Sequence, residues 1–273
     1  MIDPQLTDFI NQAGLDNVAG AFAYQNGEDL SKPNLGHRRR TRLEFRDGQS
    51  RCWEMYLKRY GPVSLMTRLA RLIRGQGLWS EARREFANIR HLRDAGVATM
   101  REIAWGQQVG LLGAWRSYII VTAVPGDAVE RVGDEFLAKF ADQPALIDEF
   151  TRQLVELVSR MHQAGFVHRD LYASHIFLHE HDGRVHVNLI DLARVFQPRW
   201  RAFRWRVKDL AQLKYSMPWL WVERYWDSFL QSYLQSQSQA QPGLWSRAID
   251  AKVVRMQRRQ QRLAQRLARK ARL

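Results

Sequence analysis

Apolar positions along this chain follow two different periods. In the first half they alternate: residues 38–46 and 51–60 flank Asp47-Gly48, a turn pair that predicts a strand hairpin. Residues 79–95 place Ala82, Phe86, Ile89 and Arg93 roughly in line, which predicts a helix ended by Gly96. Residues 117–124, with Tyr118, Ile119, Ile120 and Val121, predict a strand stopped by Pro125-Gly126. Beyond that point the period lengthens. Leu154, Leu157, Val158 and Met161 fall at helical spacing within 148–163, a helix closed by Gly165. Two short strands, 176–180 and 185–190, surround His181-Asp182-Gly183-Arg184, and the remainder is helix-prone. The pattern predicts an α+β fold, with strands around one helix in residues 1–124 and a helix-rich lobe in 125–244, joined near Pro125-Gly126.

The last stretch, 245–273, repeats Trp245, Ile249, Val253, Met256, Leu263, Leu267 and Ala271 in steps of three, four and seven, an amphipathic helix interrupted only by Gln260. It follows a Gln/Ser tract, 232–243, that reads as a linker or loosely held loop. A second amphipathic segment, 63–74, sets Met66, Leu69 and Ile73 on one face and Arg68, Arg71 and Arg74 off it. Each apolar face has two uses: packing on the body of the protein, or lying on an anionic membrane surface.

Charge sharpens that choice. The 273 residues carry 42 Lys+Arg against 28 Asp+Glu, a formal +14. Residues 245–273 hold ten Lys/Arg and one acid, Asp250, a local +9 that leaves +5 for the rest. Such a balance seeks anionic partners: nucleic acid, acidic lipid or an acidic substrate. Uncharged apolar stretches such as 103–115 and 117–126 fall short of the ~20 apolar residues of a membrane span. Met1-Ile2-Asp3-Pro4 has neither the basic start nor the apolar run of a secretory signal. One cysteine, Cys52, forbids an internal disulfide and is expected as a small buried hydrophobe in a cytoplasmic protein.

The chemistry concentrates at Gly165-Phe-Val-His168-Arg169-Asp170-Leu171-Tyr172-Ala-Ser-His175, followed by Leu189-Ile190-Asp191-Leu192-Ala193. In a hairpin centred between Asp182 and Gly183, facing residue numbers sum to about 365, so Ser174–His175 lies opposite Ile190–Asp191, with facing backbones about 5 Å apart. Asp170 lies in the loop feeding that end. Two carboxylates and an imidazole therefore meet at one edge, a site for a metal and a general base. The order resembles the eukaryotic-type protein kinase signature of a catalytic-loop Asp, a metal-holding residue five positions on, and a strand-end Asp. The resemblance assigns Asp170 as the base, Asp191 to Mg²⁺ and Lys58, near the end of its strand, to the ATP phosphates. Glu85 is its expected partner, because it falls within the inward stripe of Ala82, Ile89 and Leu92 while Glu81 falls just outside. Backbone groups near Thr122–Val124 are assigned to the adenine. His175 stands where Asn is usual, and either binds metal or shapes the loop by hydrogen bonding.

Departures from the protein-kinase pattern narrow the substrate. No Gly-x-Gly-x-x-Gly loop precedes Lys58, and the strand-end motif is Asp-Leu-Ala. Between Asp191 and Asp209 there is no Ser, Thr or Tyr and no Ala-Pro-Glu, which removes loop phosphorylation and most of a peptide platform. The segment instead carries Arg194, Arg199, Arg201, Arg204, Arg206 and Lys208, interleaved with Phe196, Trp200, Phe203 and Trp205. Aromatic faces suit sugar rings or lipid, and arginines suit phosphate or carboxylate. The same residues also fit single-stranded nucleic acid, or a mixture of core aromatics and solvated arginines.

The chain resembles the lipopolysaccharide core kinase family, the heptose and Kdo sugar kinases of Gram-negative bacteria. The matching stretches are Arg39-Arg40-Thr41-Arg42-Leu43-Glu44-Phe45, Leu57-Lys58-Arg59-Tyr60-Gly61, Glu85 before Ala95-Gly96-Val97-Ala98-Thr99-Met100, His168-Arg169-Asp170-Leu171-Tyr172 with His175, Ile190-Asp191-Leu192-Ala193-Arg194, and Arg204-Trp205-Arg206-Val207-Lys208-Asp209-Leu210. Family members often place a Glu near Ala123, and this chain does not. The resemblance implies a bilobal protein-kinase-like domain: nucleotide phosphates on 1–124, catalytic loop, metal and substrate on 125–244, and 245–273 as a basic helix. It also implies ATP and Mg²⁺, a core oligosaccharide substrate, structural support from His168 and Asp209, and work on the cytoplasmic face of the inner membrane. Arg194, Arg199, Trp200, Arg204 and Trp205 are the expected substrate side. Nucleic acid ranks third among anionic partners, and nothing in the sequence signals an oligomeric state. The competing readings are a kinase for another glycan or protein tyrosine, and a catalytically silent kinase-like module holding anionic lipid or RNA.

Overall fold

The computed structural model describes residues 6–30, 38–46, 52–62, 66, 73, 79–110, 113–237 and 241–270. The chain divides into two compact units, 1–94 with 99–124, and 95–98 with 125–273.

The first unit contains α1 (Thr7–Gln12), α2 (Val18–Ala23), β1 (Glu28–Asp29), β2 (Arg38–Arg46), β3 (Cys52–Tyr60), α3 (Glu81–Asp94), β4 (Glu102–Gly110) and β5 (Gly113–Thr122). Its antiparallel sheet runs β1-β2-β3-β5-β4. Strand alternation sends Met55 and Leu57 of β3 into one core with Leu43, Ile120 and Tyr118, covered by Leu6, Ile10, Leu15 and Ala21. Those four belong to an N-terminal region that the hydrophobic pattern left unassigned. The first half is thus more than strands around one helix: α1 and α2 are each six residues, too short to display a helical period. β4 was missed as well, because its outer half, Gly106-Gln107-Gln108-Val109-Gly110, lacks alternation. The pairing of Arg46 with Cys52 closes the expected hairpin, whose Asp47-Gly48 turn lies outside the described residues. Cys52 is exposed rather than buried. It begins β3 in the parity opposite to Met55 and Leu57, so alternation turns it from the apolar core.

The helix α3 shows its signals plainly. The Ser80 hydroxyl accepts from the Arg83 N–H at 3.1 Å as an N-cap, Glu81 opens the first turn, and His91 and Arg93 close the last. Gly96, with φ 75°, follows its end. The buried stripe is Ala82, Glu85, Phe86, Ile89 and Leu92, so one carboxylate is carried inward among apolar side chains.

The second unit contains β6 (Asp127–Ala128), α4 (Val129–Lys139), α5 (Pro144–Gln163), β7 (Ile176–His181), β8 (Arg184–Leu189), α6 (Ala202–Ser216), α7 (Trp219–Gln235) and α8 (Pro242–Lys270). Gly126, with φ 84°, crosses β7 so closely that a Cβ there would stand 2.1 Å from the Leu178 carbonyl oxygen. The core forms around α5, where Phe150, Leu154, Val158 and Met161 meet Trp221, Phe229 and Tyr233 of α7. The buried Trp221 indole N–H donates to Thr151 at 3.0 Å, which satisfies the polar edge of a large apolar ring.

The Gln/Ser tract is not a linker throughout. Its first residues complete α7, because Tyr233 and Leu234 are buried and the Ser236 hydroxyl bonds Ser159 at 2.9 Å; residues 238–240 lie outside the described set. The terminal helix α8 runs unbroken through Gln260 and divides its apolar stripe. Trp245 and Ile249 are buried, Trp245 against Phe203 and Tyr233. Every residue from 257 to 269 is exposed, including Leu263 and Leu267. Of the basic segment 63–74 only Met66 and Ile73 are described, and at 77% and 80% exposure neither packs on the body. Among the described residues no helix is long and apolar enough to cross a membrane.

Candidate active site

In the first unit, β3 and α3 bring together a lysine, a glutamate and a tyrosine. Lys58 and Tyr60 are two apart on β3 and share a face. The Lys58 ammonium meets Glu85 Oε1 at 2.5 Å and the Tyr60 hydroxyl donates to Glu85 Oε2 at 2.5 Å. Glu85 is wholly buried while Lys58 keeps part of its surface open. Glu81 pairs instead with Arg38, at 3.2 Å. Burial, reinforced by the neighbouring Glu85 charge, pushes the Tyr60 phenol well above its ordinary pKa, so it stays a donor to the carboxylate. Tyr60 is a partner that the sequence did not reveal, since a tyrosine after Lys58-Arg59 at a strand end gives no sign of a buried phenol. At the end of β5, the N–H groups of Thr122 and Ala123 are engaged by the carbonyls of Arg101 and Glu54, at 2.8 Å each.

In the second unit, β7 and β8 pair from Ile176↔Leu189 to His181↔Arg184, each pair summing to 365. Asp182 and Gly183, at φ 51° and 68°, form the turn. At the open end, the Ile190 N–H donates to the His175 carbonyl at 2.9 Å, and His175 Nε2 stands 3.6 Å from Asp191 Oδ2. His175 Nδ1 lies 2.7 Å from the Asp170 carbonyl oxygen. A carbonyl only accepts, so Nδ1 carries the hydrogen; in the neutral ring Nε2 then turns its lone pair toward Asp191.

That donor set fits a divalent cation in part. A ligating histidine that anchors its other N–H on a backbone carbonyl is the usual arrangement. Mg²⁺, however, is held by few carboxylates together with phosphate oxygens and water. Asp191 meets that need, with His175 as a neighbouring nitrogen. Among the described residues no cluster of three or more His, Cys, Asp or Glu could hold a metal by itself.

The loop carrying Asp170 is braced from below. Asp209 of α6 is fully buried and accepts from the backbone N–H of His168 at 2.6 Å and of Arg169 at 2.8 Å. The His168 ring donates from Nε2 to the Ile190 carbonyl at 3.0 Å, which ties the loop to the residue before Asp191. Lys208 donates to the Arg169 carbonyl oxygen. Arg169 and Asp191 hold left-handed backbone, φ 72° and 60°, conformations that non-glycine residues keep only where surrounding contacts impose them. The Arg169 guanidinium lies over Phe196 and Trp205, 5.4 and 5.6 Å from their centroids.

The basic segment after Asp191 divides by task. Arg194 Nη1 is 2.6 Å from Asp170 Oδ2. Arg206 bonds the His162 carbonyl and Gln237, and with Lys208 and Trp205 it serves the fold. Arg199, Arg201 and Arg204 are exposed, as is Trp200 at 85%. Sequence alone could not separate these groups, because the hydrogen-bond partners of Arg206 and Lys208 come from residues 31 to 44 positions away.

His162 lies beneath the loop, its rings edges meeting Tyr233 Oη at 2.8 Å and Asp209 Oδ2 at 3.4 Å. Burial lowers its pKa below 6.5, against the opposing pull of Asp209, and His168 is lowered by burial too. The unfolded chain therefore binds these protons first as pH falls, and the folded form loses stability below about pH 6.5. Thermal unfolding from pH 8 to 5 is expected to show a falling midpoint, with a shallower fall in His162→Gln. An equal slope in that variant counts against His162.

Two arrangements mark the kinase-like fold: a lysine–glutamate pair on a strand and helix, and a braced loop carrying Asp170 whose carbonyl is joined through His175 to a strand-end aspartate. A solved structure of WaaP in complex with acyl carrier protein shares the fold, with a TM-score of 0.68 and 24% identity over 96% of this chain and 98% of that one. The model of the lipopolysaccharide kinase (Kdo/WaaP) family matches residues 37–233, and the chain belongs to that family. It is similar to the lipopolysaccharide core heptose(I) kinase WaaP of Pseudomonas aeruginosa, 33% identical over 140 residues, which is 50% of this chain and 52% of that protein. The heptose(I) kinase WaaP of Escherichia coli is 34% identical over 145 residues, with the same shares. The chain spans about half the length of the curated relatives it matches.

Proposed function

We propose that this protein transfers the γ-phosphate of ATP to a sugar hydroxyl, heptose or Kdo, of the lipopolysaccharide inner core. The observation that carries the reading is the edge where Asp170, His175 and Asp191 meet above the Asp209 brace, in a chain of the lipopolysaccharide kinase family. Asp170 takes the proton of the attacking hydroxyl. Asp191, with His175 beside it, holds Mg²⁺, which when bound neutralises charge on the phosphates. Lys58, oriented by Glu85 and Tyr60, steadies those phosphates. With the Thr122 and Ala123 N–H groups engaged, the Val124 backbone is left for the adenine. Arg199, Trp200 and Arg204 offer stacking and cationic contacts to an anionic glycan, with Trp205 behind them.

The test is direct. Purified protein with ATP and Mg²⁺ is expected to add phosphate to a heptose or Kdo of dephosphorylated core oligosaccharide, read by mass spectrometry. Phosphate found instead on tyrosines of added protein, or on no acceptor at all, would overturn the glycan reading; the second result favours the silent module.

The exposed end of α8 carries Arg258, Arg259, Arg262, Arg266 and Arg269 about Leu263 and Leu267, a composition suited to the anionic inner face of the inner membrane. Removing residues 257–273 is expected to abolish cosedimentation with vesicles containing phosphatidylglycerol and to leave the fold intact. Unchanged cosedimentation would return that segment to another partner. A second reading takes an open groove of about 690 Å³ between α7 and α8, walled by Leu230, Leu234 and Pro242, as a seat for acyl carrier protein, the partner in the WaaP structure above.

A further inference from the structure

Among the described residues three cations lie near Asp170 along the chain or in space, and two have fixed employment. Arg169 lies over the Phe196 and Trp205 rings, and the Lys208 ammonium is bound to the Arg169 carbonyl oxygen. The third, Arg194, has its guanidinium on the Asp170 carboxylate at 2.6 Å while half of its side chain faces solvent. Between Asp170 and His175 the loop itself supplies no cation, its residues being Leu171, Tyr172, Ala173 and Ser174. Arg194 also closes the short 3-10 turn Leu192–Arg194, which starts from Asp191 and is anchored by the wholly buried Leu192. Its backbone is thereby fixed relative to the strand-end carboxylate, and its head group rests on the base.

We propose that Arg194 is a catalytic residue: an arginine supplied in cis that donates to the transferring phosphoryl group. This rests on the reading of Asp170 as base and Asp191 as metal-holding acid. In the step, the acceptor oxygen forms a bond to the γ-phosphorus as the bond from phosphorus to the β–γ bridging oxygen breaks. The electron pair of that bond leaves with ADP, and the acceptor proton passes to Asp170. Negative charge spreads over the three non-bridging oxygens of the group in flight, where a planar two-pronged donor is worth most. Without substrate the guanidinium stays on Asp170; with ATP and acceptor present, its second N–H edge is free to meet those oxygens.

Arg194→Ala and Arg194→Lys are the variants to compare. Alanine is expected to lower kcat by about 10²-fold or more with both KM values within about threefold, lysine to recover a part, and millimolar guanidinium to restore some of the alanine variant's rate. A second measurement does not depend on turnover. ADP, Mg²⁺ and aluminium fluoride, which mimic the group in flight, are expected to raise the melting temperature of the wild type beyond ADP and Mg²⁺ alone. Arg194→Ala should lose that increment and keep the shift with ATP and Mg²⁺. A raised acceptor KM with intact kcat would make Arg194 an acceptor anchor and overturn the proposal. So would an aluminium fluoride increment retained in the variant, or absent from the wild type. Failure of the underlying reading shows elsewhere, as undiminished transfer by Asp170→Asn, so the two failures are distinguishable.

Discussion

Asp170→Asn is expected to fold like the wild type, to keep its melting-temperature shift with ATP and Mg²⁺, and to lose transfer by about 10²–10⁴-fold, the usual range for a general base. The folding half of this expectation follows from exposure. Asp170 is partly open and its ion pair with Arg194 is half-exposed, the kind of pair that contributes about 1 kcal/mol or less. Asparagine keeps an oxygen that can accept from Arg194, and the loop hangs on backbone bonds to Asp209 and on the His175 contact with the Asp170 carbonyl, none of which the substitution touches. The catalytic half follows from chemistry: an amide of the same shape does not take a proton. Circular dichroism, nucleotide thermal shifts and transfer rates measured on one preparation separate the two halves. A normal rate in the folded variant would remove Asp170 from the role of base. A variant that has lost the nucleotide shift would make its role structural.

How much of this was legible beforehand depended on the range of the contact. The β7–β8 register could be counted from Asp182-Gly183 because a two-residue turn fixes every pairing beyond it, and His175 and Asp191 are carried to one edge by that arithmetic alone. The choice between Glu81 and Glu85 was likewise local, a matter of which residue shares a helix face with Ala82, Ile89 and Leu92. Tyr60 on Glu85, Arg194 on Asp170, and the bonds of Arg206 and Lys208 were not legible. Each depends on side-chain reach between segments whose relative placement no period encodes. The N-terminal helices failed for the opposite reason: they are local but too short to repeat a pattern. In α8 the helix runs to Lys270 as the period predicts, with Ala271 outside the described residues, yet burial stops near Met256, because periodicity predicts that a face exists and not what covers it.

Lys58→Met is expected to destabilise the protein by about 3–5 kcal/mol, the cost of leaving a buried carboxylate without its cation. Glu85 has no exposed surface, and Tyr60 offers it one neutral hydrogen bond that does not replace an ammonium. The loss should be largely reversed in Lys58→Met/Glu85→Met, where both charges are gone and two flexible apolar side chains fill the space, although the Tyr60 hydroxyl then lacks its acceptor and keeps the recovery incomplete. Transfer should behave differently. If Lys58 steadies the ATP phosphates, both variants lose about 10²-fold or more in kcat/KM, and restoring stability restores none of it. Chemical denaturation gives the stability cycle and ATP-dependent transfer gives the other. A double variant that regains activity along with stability would mean that the pair serves the fold of the first unit and not the nucleotide. Equal destabilisation in single and double variants would mean that Glu85 is not ionised against Lys58 in the first place. The two readouts part company only if a structural ion pair also presents its cation to substrate, which is what the open side of Lys58 and the closed burial of Glu85 lead one to expect.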